Sequence, residues 1–305
     1  MAMKQYVLGE TLYAGDRGEE SAKRVTVVSL EEFREHIKGV AHRKAMMQFL
    51  SQMAYCKAQM FGSYLLGTLC LPVKHAHVEG KLRCGFCLEE GRLCLIGEES
   101  VLVGQLERMK ESRFALDLSL AGFFCALLHA WTDEDAIFLQ SVEENLSAME
   151  EELLASLPNR FYERLIVWRR DLVALHACYD QLSSMGESLR ASTSPLIQEE
   201  DRLAFGYLSD RAERFLQHVE SLREDLLHIR EMYQTQIGVR QSRVMTMLAV
   251  ISAIFLPLTL LVGWYGMNFA YMPELHWAYG YPVVIALSVV IVVVEIVIFR
   301  HNRWL

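Results

Sequence analysis

The chain has 305 residues, of which 52% are hydrophobic and 22% are charged. Its mean hydropathy of +0.16 is high for a soluble globular protein and low for a protein made mostly of membrane spans, which excludes both extremes. The first 242 residues carry 27 basic and 36 acidic side chains, whereas the rest carry three and two. We therefore expect an acidic body followed by a membrane tail, and no nucleic-acid partner, because phosphate binding needs a basic surface.

All seven cysteines lie in the body. An odd number of cysteines, together with an N-terminal segment that lacks the apolar core of a signal peptide, indicates reduced thiols in a reducing compartment. We therefore expect the body to lie in the cytosol.

The first part of the body has the mixed pattern of helices and strands. Residues 23–30 are rich in β-branched side chains and predict a strand, after which Ser29 and Glu32 have the spacing of a helix capping box. Strand-like runs follow at 64–73, 81–88 and 92–97, with turn signals at Glu79-Gly80 and Glu90-Gly91. We predict a cytoplasmic α/β domain over residues 1–132.

The second part of the body is helical. Segments 136–157 and 159–186 predict two helices, and a third starts near Leu196 and has no strong break before the membrane. The third helix carries two series of apolar residues at seven-residue spacing: Phe205, Ala212, Val219, Leu226 and Tyr233, and Leu208, Phe215, Leu222 and Ile229. This a/d seam fits a bundle with the two preceding helices or a stalk assembled around a symmetry axis, and both can hold at once. We predict a cytoplasmic helical bundle and stalk over residues 133–242.

The tail contains two apolar runs. Residues 244–262 are 19 residues without a charge, and residues 283–299 contain a single acid, Glu295. Two such runs in succession are typical of membrane spans. We predict a transmembrane domain over residues 243–305, with spans at about 243–264 and 281–300 and an outer loop at 265–280. The predicted fold class is an α+β cytoplasmic domain followed by a long stalk helix and two C-terminal transmembrane helices.

Basic residues flank both spans on the same side of the membrane. Arg240 and Arg243 precede the first span, and Arg300 and Arg303 follow the second, while the connecting loop has no lysine or arginine. By the positive-inside rule both termini lie in the cytoplasm, and we predict a multi-pass protein of the inner (cytoplasmic) membrane.

One face of the first span has the features of a pore lining. Two spans per chain cannot enclose a polar path, so conduction requires several subunits that each contribute one helix. The hydroxyls of Ser252 and Thr259 suit hydrated ions, and large apolar neighbours suit a constriction that closes by dewetting. Helix packing is the alternative role for such small polar residues. The predicted pore-lining residues are Ser242, Met245, Leu248, Ser252, Leu256, Thr259 and Gly263.

Asn268, which follows the first span, is the predicted cation-binding residue. Its amide offers a carbonyl acceptor and NH₂ donors without a charge, so a ring of such side chains can hold an ion through its hydrating waters. Mg²⁺ suits this arrangement because it sheds water reluctantly. Glu274, the only acid of the outer loop, raises the local cation concentration.

A specific motif surrounds Asn268. Between the two spans the chain reads YGMNF, then MPEL and W-x-x-G-Y-P. These residues resemble the CorA family of divalent metal ion transporters, whose signature triplet matches Gly266, Met267 and Asn268. The resemblance implies a homopentameric funnel, a central pore lined by the first span, and selection of hydrated Mg²⁺ at Asn268. Family pore positions fall on Met245, Leu248, Leu256, Thr259 and Gly263, and Ser242 stands where the family can have Asn.

These observations predict a divalent metal cation channel of the inner membrane, without enzymatic activity or a resident cofactor. Hydrated Mg²⁺ is the first candidate cation, and Co²⁺ and Ni²⁺ are further candidates. The expected partners are other copies of the chain, as a pentamer, with membrane lipid and divalent cations. Two alternatives stay open: a zinc-transporting member of the same superfamily, and a poorly conducting membrane-anchored scaffold or sensor.

Cys84 and Cys87, with His75, His77 and Cys94 nearby, invite comparison with a zinc site. The segment alternates like a strand, however, which places Cys84 and Cys87 on opposite faces, and the sequence has no second CxxC pair. Buried thiols are therefore the favoured interpretation.

Glu295 is an acid inside the second span, where ionisable residues are functional candidates. We expect it to pair with a base near the inner interface, either Arg243 or Arg300. Proton coupling through Glu295 is the alternative hypothesis.

Overall fold

The computed structural model describes residues 4–8, 12–14, 23–40, 42–51, 53–111, 118–267, 272, 277 and 279–301. The contacts divide the chain into two compact units, Met1–Arg230 and Glu231–Leu305. We call them the first and the second unit. The predicted domain divisions at 132/133 and 242/243 stay predictions.

A mixed sheet of seven strands forms the centre of the described part of the first unit. The strands are β1 (Lys4–Leu8), β2 (Leu12–Ala14), β3 (Lys23–Val28), β4 (Lys57–Phe61), β5 (Tyr64–Lys74), β6 (Val78–Glu89) and β7 (Arg92–Gly97). Their order is β2-β1-β3-β7-β6-β5-β4. Strands β3 and β7 pair in parallel, and the other described neighbours pair antiparallel.

Helices cover both faces of the sheet. On one face, α1 (Leu30–His36) and α2 (Arg43–Ser51) contribute Phe33 and Met46 to a smaller core. On the other, α3 (Glu99–Glu111) and α4 (Leu120–Trp131) pack with later helices in the main core. Because strand side chains alternate, β6 and β7 contribute to both cores, and the sheet is a buried central layer.

The next three helices after α4 are longer: α5 (Asp135–Ala155), α6 (Phe161–Arg190) and α7 (Glu199–Tyr265). Most of the predicted a/d seam of α7 is buried within the single chain: Phe205, Leu208, Ala212, Val219, Leu222, Leu226 and Ile229. A Cβ at Gly186 would lie only 3.0 Å from the Cβ of Ser209, which shows how closely α6 approaches α7. The structure thus confirms the bundle interpretation of the seam.

Several local predictions are confirmed and one is wrong. Ser29 and Glu32 form the predicted capping box at the start of α1. Gly91 makes the predicted turn with a positive φ of 73°. Gly80, in contrast, lies inside β6 and pairs with Val73, because the chain reverses earlier, next to an irregularity in the register at Val73/Lys74. No strand occurs in the described residues after 133, as predicted.

The second unit contains the end of α7 and the last helix, α8 (Gly280–His301). Both helices include an apolar window long enough to cross a membrane, and only 6% of each window is buried in the chain. The predicted spans lie within these helices. The structure therefore has an α+β body, a long helix whose C-terminal part is the first apolar segment, and a second apolar helix, as the sequence predicts.

Candidate functional site

The first apolar helix has two different faces. All seven predicted pore-lining residues lie on α7 and are exposed in the single chain: Ser242, Met245, Leu248, Ser252, Leu256, Thr259 and Gly263. The opposite face is only partly exposed and includes Ala253, Pro257 and Leu261, at helical spacing. The predicted lining thus lies within the exposed part of α7, which also includes apolar residues such as Met247 and Phe255.

A shallow, mainly apolar groove of about 660 Å³ runs along this exposed face. It is lined by Ser252, Phe255, Leu256, Thr259, Leu260, Gly263, Trp264 and Met267. Four of the predicted pore-lining residues therefore share one surface with Met267 of the signature triplet. We call this surface the α7 groove.

The hydroxyls of Ser252 and Thr259 are the polar side chains of the α7 groove. Thr246 and Ser288 donate to the carbonyl oxygen four residues earlier, at 3.0 and 2.9 Å. Ser252 and Thr259 make no such bond among the described residues, and both are exposed. Their hydroxyls are free to bind water or the hydration shell of an ion, whereas a purely packing role predicts hydroxyls that bond within or between helices.

The end of α7 positions Gly266 and Met267, the first two residues of the signature triplet. The amide N–H of Gly266 donates to the carbonyl of Val262 at 2.9 Å, which closes the last turn. Met267 then lines the C-terminal end of the α7 groove. Asn268 and Glu274 lie outside the described residues, so their roles at the cation site stay predictions.

Glu295 does not form the predicted ion pair. Among the described residues no ion pair joins it to Arg243 or Arg300, and its Oε2 atom is enclosed without a hydrogen-bond partner. Arg300 is five residues further along α8, which places it about 140° around the helix from Glu295. Glu295 belongs instead to the less exposed face of α8, with Ser288 and Phe299. Proton coupling through Glu295 stays a hypothesis.

The cysteines confirm the prediction of buried thiols. Cys84 packs in the main core and Cys87 in the smaller core on the other face of the sheet, so the two thiols cannot bind the same metal ion. Burial raises the pKa of both thiols well above the usual range. His77 is engaged elsewhere, 2.8 Å from the carboxylate of Asp171.

Sequence reasoning missed two groups of polar residues that the fold brings together. One contains Lys74 and Asp135, and the other contains His36, Glu89 and Cys94. The members of each group come from separate elements, so no local spacing signals them. Only the strand register and the placement of helices on the sheet reveal them.

Comparison with known proteins agrees with this architecture. The family model described as "CorA-like Mg2+ transporter protein" matches residues 42–301. The chain is 32% identical over 200 residues to the cobalt/magnesium transport protein CorA of Thermotoga maritima, an alignment that covers 65% of this chain and 57% of that protein. This chain therefore aligns with less than two thirds of the length of that relative.

Solved structures share the fold. The complete CorA magnesium transporter of Methanocaldococcus jannaschii superposes with a TM-score of 0.85 at 19% identity, and the match covers 100% of this chain and 99% of that one. The cytoplasmic domain of ZntB from Vibrio parahaemolyticus superposes with a TM-score of 0.52 at 13% identity and covers 75% and 98%. With a family model that matches nearly the whole chain, the protein belongs to the family of CorA-like Mg²⁺ transporter proteins.

Proposed function

We propose that this protein is a channel that conducts hydrated divalent cations through the inner membrane, with Mg²⁺ as its main cation. The observation that carries the proposal is the α7 groove. It contains two exposed hydroxyls that have no hydrogen-bond partner among the described residues, Ser252 and Thr259, on a helix apolar enough to span the bilayer. Hydroxyls without a partner are costly in the hydrocarbon region of a membrane, so we expect these two to face water or a hydrated ion. Co²⁺ and Ni²⁺ are further candidate cations.

The pore requires several copies of the chain. Two apolar helices cannot surround a water-filled path, and the α7 groove is open on one side. We propose a homopentamer in which five α7 helices turn their grooves toward a common axis, as the family resemblance implies. In that assembly Met245, Leu248 and Leu256 form rings of apolar side chains that close the path by dewetting.

Selection takes place at the outer mouth. A ring of Asn268 amides binds the cation through its hydrating waters, and Glu274 concentrates cations in the outer loop. Mg²⁺ fits such an outer-sphere site because it holds its octahedral water shell tightly. Arginines flank both spans, and by the positive-inside rule this supports a cytoplasmic location of both termini as part of the proposal. The proposal includes no chemical step and no resident cofactor.

Flux into proteoliposomes tests this function. Wild-type protein is reconstituted, and entry of Mg²⁺, Co²⁺, Ni²⁺ and Zn²⁺ is recorded with indicators inside the vesicles. We expect Mg²⁺ entry, and a loss of Mg²⁺ selectivity or of flux in Asn268→Ala. Asn145→Ala is the matched control, because this amide lies on α5, outside the apolar helices, and donates to the carbonyl of Ser141.

Each alternative gives a different result. Entry of Zn²⁺ without Mg²⁺ assigns the protein to zinc transport. Absence of flux for every cation supports the scaffold or sensor alternative. Mg²⁺ flux that is identical in wild type and Asn268→Ala contradicts selection at this residue.

A further inference from the structure

Three metal-ligating side chains meet on one face of the sheet in the first unit. His36 is in the last turn of α1, Glu89 ends β6, and Cys94 is in β7. One ligand atom from each lies within 4.8 Å of the others. The imidazole Nε2 of His36 is 3.1 Å from Oε1 of Glu89. The cluster opens to solvent on the side of His36 and Glu89, and Cys94 forms its buried floor.

The strand register explains why these residues share a face. Antiparallel pairing places Cys94 opposite Cys87 and Arg92 opposite Glu89. Residues two apart in a strand point to the same side, so all four side chains lie on the face that α1 covers. Cys87 and Cys94 both belong to the smaller core beneath α1, which places a second thiol next to the cluster.

The donor set indicates a particular class of metal. Imidazole nitrogen, carboxylate oxygen and thiolate sulfur together are ligands of Zn²⁺ and of Co²⁺ in the same type of site. Mg²⁺ and Ca²⁺ prefer oxygen ligands alone and gain nothing from a cysteine. Bond lengths of about 2.0–2.3 Å require the ligand atoms to approach one another by about 1 Å, which side-chain rotation supplies.

Arg92 places a positive charge beside the cluster. Its Nη1 atom lies 3.3 Å from Nε2 and 3.4 Å from Nδ1 of His36. The same atom is 3.8 Å from Oε1 of Glu89. A guanidinium this close to the ligand atoms opposes the approach of a metal cation through charge repulsion. The Arg92 side chain is 29% exposed and can turn into solvent when a metal ion takes its place.

We propose that His36, Glu89 and Cys94 bind a transition-metal ion of the Zn²⁺ class, a site that the proposed conduction of Mg²⁺ does not require. Arg92 is the internal competitor that leaves when the metal binds. Cys87 or a water molecule supplies the fourth ligand of a tetrahedral site.

Titration of the full-length, chelator-treated protein in detergent with Co²⁺ tests the site without any transport measurement. We expect a thiolate-to-Co²⁺ charge-transfer absorption that saturates at one Co²⁺ per chain and disappears when Zn²⁺ is added. The proposed pore site has no thiolate and contributes no such absorption. Cys94→Ser removes it, and Cys125→Ser, which changes a buried thiol of α4 in the main core, leaves it unchanged.

Variants of the two more exposed ligands test the site even if Cys94→Ser fails to fold. His36→Ala and Glu89→Gln alter half-exposed or exposed side chains, and we expect each to weaken Co²⁺ binding at least about tenfold. Arg92→Met, which removes the competing charge, is expected to bind Co²⁺ more tightly than wild type. No charge-transfer absorption in the wild type, an absorption that persists in Cys94→Ser, or wild-type affinity in both His36→Ala and Glu89→Gln overturns the proposal.

Discussion

Tyr179 donates a hydrogen bond of 2.8 Å from its phenolic oxygen to a carboxylate oxygen of Asp135. The other oxygen of Asp135 forms an ion pair with the ammonium group of Lys74. These residues belong to α6, to the start of α5 and to the end of β5, so one buried carboxylate connects the sheet to the helical bundle. Burial and the neighbouring Asp135 raise the pKa of Tyr179 well above its usual value, which keeps the phenol in its donating form.

Loss of this carboxylate is expected to destabilise the protein. Asp135→Ala leaves the Lys74 ammonium and the Tyr179 hydroxyl buried without their partner, which costs about 3–5 kcal/mol of unfolding free energy. Tyr179→Phe removes a single hydrogen bond to a charged group and costs about 1.5–3 kcal/mol. Denaturant unfolding of the two variants and of the double variant measures both effects and their coupling. A loss below about 1 kcal/mol in Asp135→Ala contradicts a structural role for the network.

Gly67 is required by the packing of β5 on β6. A Cβ at this position would overlap the ring of Phe86 and lie 2.6 Å from the carbonyl oxygen of Lys57. The carbonyl belongs to the backbone of β4 and cannot turn away, so we expect Gly67→Ala to destabilise the protein by about 1–3 kcal/mol or more. Gly80→Ala is the matched control in β6, where a Cβ meets no heavy atom within 4 Å. Equal melting temperatures of the two variants contradict this reasoning.

His129 makes stability depend on pH. Burial, together with the nearby Arg211 guanidinium, lowers the pKa of this imidazole below its ordinary value of 6.5. As the pH falls, the unfolded chain therefore binds a proton at His129 before the folded chain does. The free energy of unfolding decreases as the pH drops below 6.5, and His129 does not change it well above that pH.

Thermal unfolding as a function of pH measures this contribution. His129→Gln is expected to lose less stability than wild type between neutral and mildly acidic pH. The exposed His75 provides the control, and His75→Gln is expected to follow the wild-type curve. If His129→Gln shows the same pH dependence of stability as wild type, His129 is not the source of this loss of stability.

The proposed pore makes a direct prediction about mass. Native mass spectrometry of the protein released from detergent is expected to give a main species of five times 35.0 kDa. A stable dimer or monomer as the main species contradicts the pentamer, because neither can enclose a path with two apolar helices per chain.

Much of the fold follows from local chemistry that the sequence displays. The capping box of Ser29 and Glu32, the buried seam of α7 and the separation of Cys84 from Cys87 are all consequences of short, periodic patterns. The two apolar helices are equally visible, because 19 uncharged residues leave few alternatives. The exposed stripe of α7 follows from helical periodicity alone.

The remaining features depend on tertiary structure. Helix α4 is buried along most of its length and is apolar around its circumference. It therefore lacks the polar face from which helical periodicity is recognised in a sequence. The Glu79-Gly80 dipeptide is typical of a turn, but Gly80 lies in a strand because the pairing of β5 with β6 extends past it. His36 meets Glu89 and Cys94 only because α1 folds over the end of the β6–β7 pair.

Chemical blocking of the exposed face of α7 tests whether cations pass along it. Thr259→Cys introduces a thiol into the α7 groove, whereas Leu261→Cys introduces one on the partly covered side, about 200° around the helix. The native cysteines are buried and leave the new thiol as the reactive one. Mg²⁺ flux is measured in proteoliposomes before and after treatment with a positively charged thiosulfonate reagent. We expect the reagent to abolish flux through Thr259→Cys and to leave flux through Leu261→Cys unchanged. Undiminished flux through modified Thr259→Cys contradicts conduction along this face.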